Sequence, residues 1–171
     1  MRKRVSLTVL GLVLVGVVIS HVSWEQKDNG YLLVIDGREV DLLGALRNDW
    51  NRAWRSCQRV SLLTAHDPRY VQAKATIQAY SPPQSNAAQL AGVWAAGDWT
   101  LAEVEFAQLL PAVVLMHTVN GTTAIVPGAV WSGYTQPWKA APYIRRYLSQ
   151  QGGAAPRELF DCFEPQSASF R

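Results

Sequence analysis

The middle of the chain has almost no charge. Between Ala75 and Trp138 the only formally charged residues are Asp98, Glu103 and Glu105. A long stretch with so few solvating side chains is where a core is built, and it excludes disorder there. Bases are scarce as a surplus too. The chain has 16 Lys and Arg against 13 Asp and Glu, and three of the bases are Arg2, Lys3 and Arg4; without them the balance is 13 against 13. Nucleic-acid binding is thereby unsupported, because it rests on an excess of bases facing phosphates.

Cysteine and histidine are equally sparse. The two cysteines, Cys57 and Cys162, are too far apart for a Cys-x-x-Cys centre, and the three histidines are His21, His66 and His117. A zinc site would need both cysteines with His66 and His117, none of them closely spaced, so no metal and no cofactor is expected. No Gly-x-Ser-x-Gly, Gly-rich phosphate loop, His-Glu-x-x-His or calcium loop occurs. An isolated cysteine pair in an exported chain is most simply one disulfide, and closing a loop of this length is worth about 4 to 5 kcal/mol by loop entropy.

What is present in quantity is apolar and aromatic. Arg2, Lys3 and Arg4 precede an uncharged run from Val5 to Trp24. Basic residues before such a run are the pattern of an export or membrane-insertion signal. The poor cleavage site Val18-Ile19-Ser20 favours an uncleaved N-terminal transmembrane helix. The expectation is a membrane anchor or signal over residues 1–24 and a single extracytoplasmic domain over 25–171. That domain would sit in the periplasm on a single-pass inner-membrane anchor, or be soluble or secreted after cleavage.

The domain itself reads as α+β, a small antiparallel sheet built from hairpins and covered by helices. Tyr31–Ile35, Asp36-Gly37 and Arg38–Val40 form a hairpin pattern. Asp41 caps a helix whose apolar stripe, Leu42, Leu46, Trp50, Ala53, Trp54 and Cys57, is expected to face inward. Arg59–Thr64 reads as a strand. Over 69–80 helical and strand patterns compete, and the Asp67-Pro68 start favours the helix. Helices are expected over 87–96, ended by Gly97, and from Thr100 to Leu110, where Thr100 and Glu103 have the spacing of a capping box. Ala112–Val119, Asn120-Gly121 and Thr122–Val126 form the clearest hairpin. Pro142 opens a further helix closed by Gly152-Gly153. Residues 156–163 are a short helix or extended segment, and the last eight residues read as frayed.

No catalytic constellation is complete, and enzymatic activity is left open. An enzyme would draw on Ser132, His117 and Asp98. The seven tryptophans and six tyrosines all follow residue 23, and large rigid rings suit protein contact. The expected partner surface is the aromatic loop with Trp131, Tyr134 and Trp138, or else the basic helix face of Arg47, Arg52 and Arg55. The functional expectation is an accessory or interaction domain of a cell-envelope assembly or transport machine, with another envelope protein as partner. The alternatives are a periplasmic inhibitor or immunity-type binding protein and a small cell-envelope hydrolase.

Overall fold

The computed structural model describes Gly11, Val15, Gly16 and residues 20–170. The chain divides into two compact units, Met1–Leu46 and Arg47–Arg171. The α+β class with small antiparallel sheets and helices holds.

In the first unit, β1 (Val22–Lys27), β2 (Gly30–Ile35) and β3 (Arg38–Val40) form an antiparallel three-stranded sheet in that order. The expected Asp36-Gly37 turn joins β2 to β3, with positive φ at both residues, +49° and +78°. Asp and Gly tolerate that left-handed backbone. Leu32 is the fully buried residue of this sheet, and β1 is largely exposed.

The expected transmembrane helix is corrected here. Among the described residues, no helix is long and apolar enough to cross a membrane. The uncharged run was read as one span through Trp24, yet Val22, Ser23 and Trp24 pair in β1 with Ile35, Val34 and Leu33. Their backbone groups are committed to a ladder, as is the His21 carbonyl, which accepts from the Asp36 amide at 3.0 Å. Membrane attachment through an N-terminal span and the single-pass inner-membrane topology lose their support with it. The remainder of that expectation falls on residues 1–10, 12–14 and 17–19, which lie outside the described residues.

The second unit is built on a five-stranded antiparallel meander, β4 (Ser61–Leu62), β5 (Gln89–Ala96), β6 (Trp99–Glu105), β7 (Ala112–Val119) and β8 (Thr122–Ser132). Successive strand residues point to opposite faces, and here both faces are covered. On one face Trp94, Leu101, Val113 and Leu115 pack against Ile144 and Leu148 of α3 (Ala140–Gln151) and Leu159 and Phe160 of α4 (Arg157–Asp161). On the other, Val93, Ala95, Ala102, Val114 and Met116 pack against Ala73 and Ile77 of α2 (Pro68–Gln78). The Asp67 carboxylate caps α2 by accepting from the Arg69 amide at 2.9 Å, as its start signal indicated.

Double-sided burial explains why two strands read as helices. Neither expected α-helix forms: Gln89–Ala96 is β5, Trp99–Glu105 is β6, and 106–110 is loop. A strand buried on both faces has no polar alternation, so its apolar run mimics a buried helix. Gly97 begins a two-residue strand turn at φ +57° instead of ending a helix. The Thr100 and Glu103 spacing is not a capping box either. Glu103 is fully buried, and its carboxylate accepts from the backbone amides of Gln166 at 2.7 Å and Ser167 at 3.0 Å. It thereby fastens the C-terminal segment across the sheet. Gly92 makes room there, since a Cβ would lie 2.6 Å from the Trp94 ring and 3.1 Å from the Gln166 side chain. Of the residues expected to be frayed, 164–170 pack onto the sheet instead, and Ser167 and Phe170 are buried; Arg171 lies outside the described residues.

The Asn120-Gly121 hairpin is as expected, with φ +52° and +78°. Pro127-Gly128 does not end the pairing. The register passes from Met116 with Ile125 to Val114 with Val130, leaving the Pro127-Gly128 region as a bulge within β8. Cys57 and Cys162 are joined, closing a sequence separation of 105 residues.

Two outcomes follow. Replacing both cysteines by serine should lower stability by about 2 to 5 kcal/mol in denaturant unfolding. Glu103→Ala leaves two amides without their charged acceptor, so it should cost about 2 to 4 kcal/mol and speed hydrogen exchange at Gln166 and Ser167 before the rest of the sheet.

Candidate partner-binding surface

The helix α1 (Leu42–Trp54) begins as the sequence indicates, with the Asp41 carboxylate accepting from the Gly44 amide at 2.7 Å. Its orientation is the reverse of the expected one. Leu42 and Leu46 are exposed, and Trp50 and Trp54 are 69% and 73% exposed. The side chains turned toward the rest of the larger unit are polar: Asn48, Asn51 and Arg55 are half-buried.

The reason lies in an ionic cluster supplied by distant parts of the chain. Arg145, on α3, is buried with its guanidinium spent on the Phe163 carbonyl at 2.9 and 2.6 Å, the Asn48 side chain at 2.9 Å and Glu164 at 3.0 Å. Arg55 donates to the same Glu164 oxygen at 2.8 Å and to the Asp161 carbonyl at 3.2 Å. Arg52 stands 3.6 Å from it. A buried guanidinium must have its donors satisfied, and α1 helps by offering Asn48. Burial pushes the Glu164 pKa up, but Arg145, Arg55 and Arg52 outweigh it, and the carboxyl sits below its ordinary value of 4.5. Burial is likewise the main influence on Arg145, lowering its pKa against the pull of Glu164.

The consequence is an aromatic pair presented to solvent. Trp50 and Trp54 are one turn apart on α1, so they lie on the same face. Their ring centroids are 5.6 Å apart and their planes are tilted by 41°. Arg47, also exposed, falls three and seven residues before them and shares their face.

The aromatic loop divides. Trp131 is half-buried and meets Tyr147 edge-on at 5.5 Å, and Tyr147 is itself held by its hydroxyl on the Gly128 carbonyl at 2.8 Å. Trp138 is half-buried beside Tyr143 at 5.9 Å. Tyr134 projects, 65% exposed. Of the basic face, Arg47 is free to the surface in the sense of exposure, whereas Arg52 and Arg55 are engaged with Glu164.

Ser132, His117 and Asp98 do not converge. Ser132 pairs with Ala112 at one end of β7, and His117 pairs with Ala124 toward the other. Five residues of strand separate the two positions, about 16 Å at 3.3 Å per residue. His117 lies flat on Trp99, with centroids 4.0 Å apart, and Asp98 occupies the β5–β6 turn, where its carbonyl accepts from Thr118 at 2.9 Å. Among the described residues no group of three His, Cys, Asp or Glu side chains is arranged to hold a metal ion.

No family model, curated protein or solved structure matches the chain. Sequence reading found the Trp50 and Trp54 stripe but not its direction, and it missed Arg145 and Glu164. Nothing in the sequence singles out that pair, since Arg145 stands beside Arg146 and Glu164 follows Arg157, Glu158 and Asp161.

Glu164→Gln should therefore cost about 1 to 3 kcal/mol at neutral pH, through weakened charge-assisted hydrogen bonds. Because the folded-state pKa of Glu164 is depressed, its contribution is complete above the unfolded-state value of about 4.3 and is lost as pH falls through the lower folded-state value. Urea titrations at stepped pH should show a shallower acid loss of stability for Glu164→Gln than for the parent.

Proposed function

We propose that the chain is a binding protein of an oxidising, extracytoplasmic compartment, of the inhibitor or immunity type, and that it holds a protein partner through Trp50 and Trp54. The observation that carries this reading is the exposed tryptophan pair on a helix whose polar side faces the protein. Tryptophan and arginine are the residues that most often dominate protein interfaces, because a rigid ring gives a large contact area at small entropic cost. The partner surface that fits is an apolar recess with carboxylates at its rim, the rings filling the recess and Arg47 meeting the rim.

Two further observations support binding over hydrolysis. Ser132 lies about 16 Å of strand from the end of the sheet that holds His117 and Asp98, so the three side chains that an enzyme would use do not come together. The disulfide between Cys57 and Cys162 suits an oxidising, extracytoplasmic compartment. Tyr134, projecting from the loop after β8, is a second contact of the same chemical kind.

The test is to recover the partner from extracts with the parent chain, purify it and measure affinity for Trp50→Ala and Trp54→Ala. Each substitution should leave stability within about 1 kcal/mol of the parent, since the rings are largely in water. Each should weaken the complex by about 2 kcal/mol or more, roughly thirtyfold in Kd. Unchanged affinity in both variants would sink the proposal. Concentration-dependent sedimentation of the parent alone, abolished by the same substitutions, would assign the pair to self-association instead.

A further inference from the structure

A different part of the larger unit carries an inference independent of the tryptophan pair. The face of the sheet covered by α2 is incompletely roofed. A helix of 11 residues is about 16 Å long, whereas the 8 residues of β7 and 11 of β8 extend roughly 26 to 36 Å. Beyond the C-terminal end of α2 a cavity of about 380 Å³ remains. Its floor is the sheet, with Val114, Ile125 and Val130; its walls are Ile77 and the β6–β7 loop residues Phe106 and Leu110. That volume lies in the range of small-ligand sites.

The chemistry of the lining selects the occupant. Among the described residues, no Lys, Arg, His, Asp or Glu lines the cavity. The hydroxyl deepest in its wall, that of Ser85, is committed, donating to the Gln78 carbonyl at 2.6 Å and accepting from the Ser81 amide at 3.1 Å. The floor presents side chains, because Ala112 and Val114 belong to β7, whose backbone is paired on both sides by β6 and β8. An extended peptide laid there would bury backbone amides and carbonyls against carbon, at a cost of about 1 to 3 kcal/mol for each unsatisfied group. A charged head group would find no counter-ion. A hydrocarbon chain incurs neither cost and gains about 0.8 kcal/mol per buried methylene.

We propose that this cavity binds the aliphatic chain of an uncharged amphiphile. Its mouth is marked by Leu110 and Tyr80, which are 52% and 68% exposed. The hydroxyl of an alcohol head, or the carbonyl of an ester, remains there in water, beside the exposed Ser132.

The experiment uses the folded, disulfide-bonded chain and the neutral fluorescent probe N-phenyl-1-naphthylamine. The probe should bind at one site and be displaced by 1-decanol, while decanoate and decylammonium at neutral pH displace it at least about tenfold less well, a difference of 1.4 kcal/mol. Leu110→Arg and Tyr80→Glu change exposed residues at the mouth, and each should weaken probe binding by a similar factor. Val71→Arg, at an exposed position of α2 outside the cavity, should leave it unchanged. The proposal is overturned if the parent binds no probe, if decanol and decanoate compete equally, or if Val71→Arg weakens binding as much as the mouth variants. Better displacement by an apolar hexapeptide than by decanol would also overturn it. The decanol and decanoate comparison is made on the parent, so it decides the matter even where a variant fails to fold.

Discussion

Three arginines share one carboxylate. Arg145, Arg55 and Arg52 surround Glu164, and much of what is unusual in the larger unit depends on that cluster. Arg145 is buried and cannot lose its partners cheaply, because an uncompensated buried charge destabilises by about 3 to 5 kcal/mol. Meeting its donors requires the Phe163 carbonyl, Glu164 and the amide oxygen of Asn48 together. Asn48 and Asn51 are on one side of α1, with Arg55 just past its end, and Trp50 and Trp54 are on another. Once the polar side is taken by the cluster, helical geometry leaves the rings in water. The exposed aromatic surface is a consequence of satisfying an ion.

The C-terminal segment obeys a related constraint on the sheet. Glu103 is a carboxylate in the middle of a central strand, a place where an unpaired charge is prohibitive. Two backbone amides from residues 166 and 167 satisfy it, and Gly92 lets that segment approach. The tail then brings Phe163 edge-on to Trp94 at 4.9 Å and adds Phe170 to the same core. The disulfide at Cys162 lies between these contacts and α4. The two faces of the sheet differ as a result. One is closed by two helices and the tail, the other by α2 alone, and the apolar cavity is the uncovered remainder.

The hairpins, the Asp41 and Asp67 caps and the disulfide were legible because each is decided locally or by compartment. Asn120-Gly121 and Asp36-Gly37 require left-handed backbone that few other dipeptides accept, and Asp67-Pro68 combines a cap with a fixed φ. β5 and β6 were misread because burial on both faces removes the alternation that identifies a strand. The end of the proposed membrane span was misread for a related reason: Val22 to Trp24 are uncharged whether they enter a bilayer or pair with Leu33 to Ile35. Composition alone does not distinguish a partner strand from lipid.

By itself the sequence determined the α+β class, the turn positions, the starts of α1 and α2 and the pairing of its only two cysteines, since these follow from backbone sterics, capping chemistry and cysteine count. It also determined that α1 has an apolar stripe. The tertiary structure decided which way that stripe points, what Glu103 and Glu164 hold, and where the sheet is left bare. Each of those depends on partners brought together from distant parts of the chain, as the separations of 97 residues between Asn48 and Arg145 and 63 between Glu103 and Gln166 make plain. A periodicity fixes the faces of a helix, but only the charges and surfaces folded against it select the face that is buried.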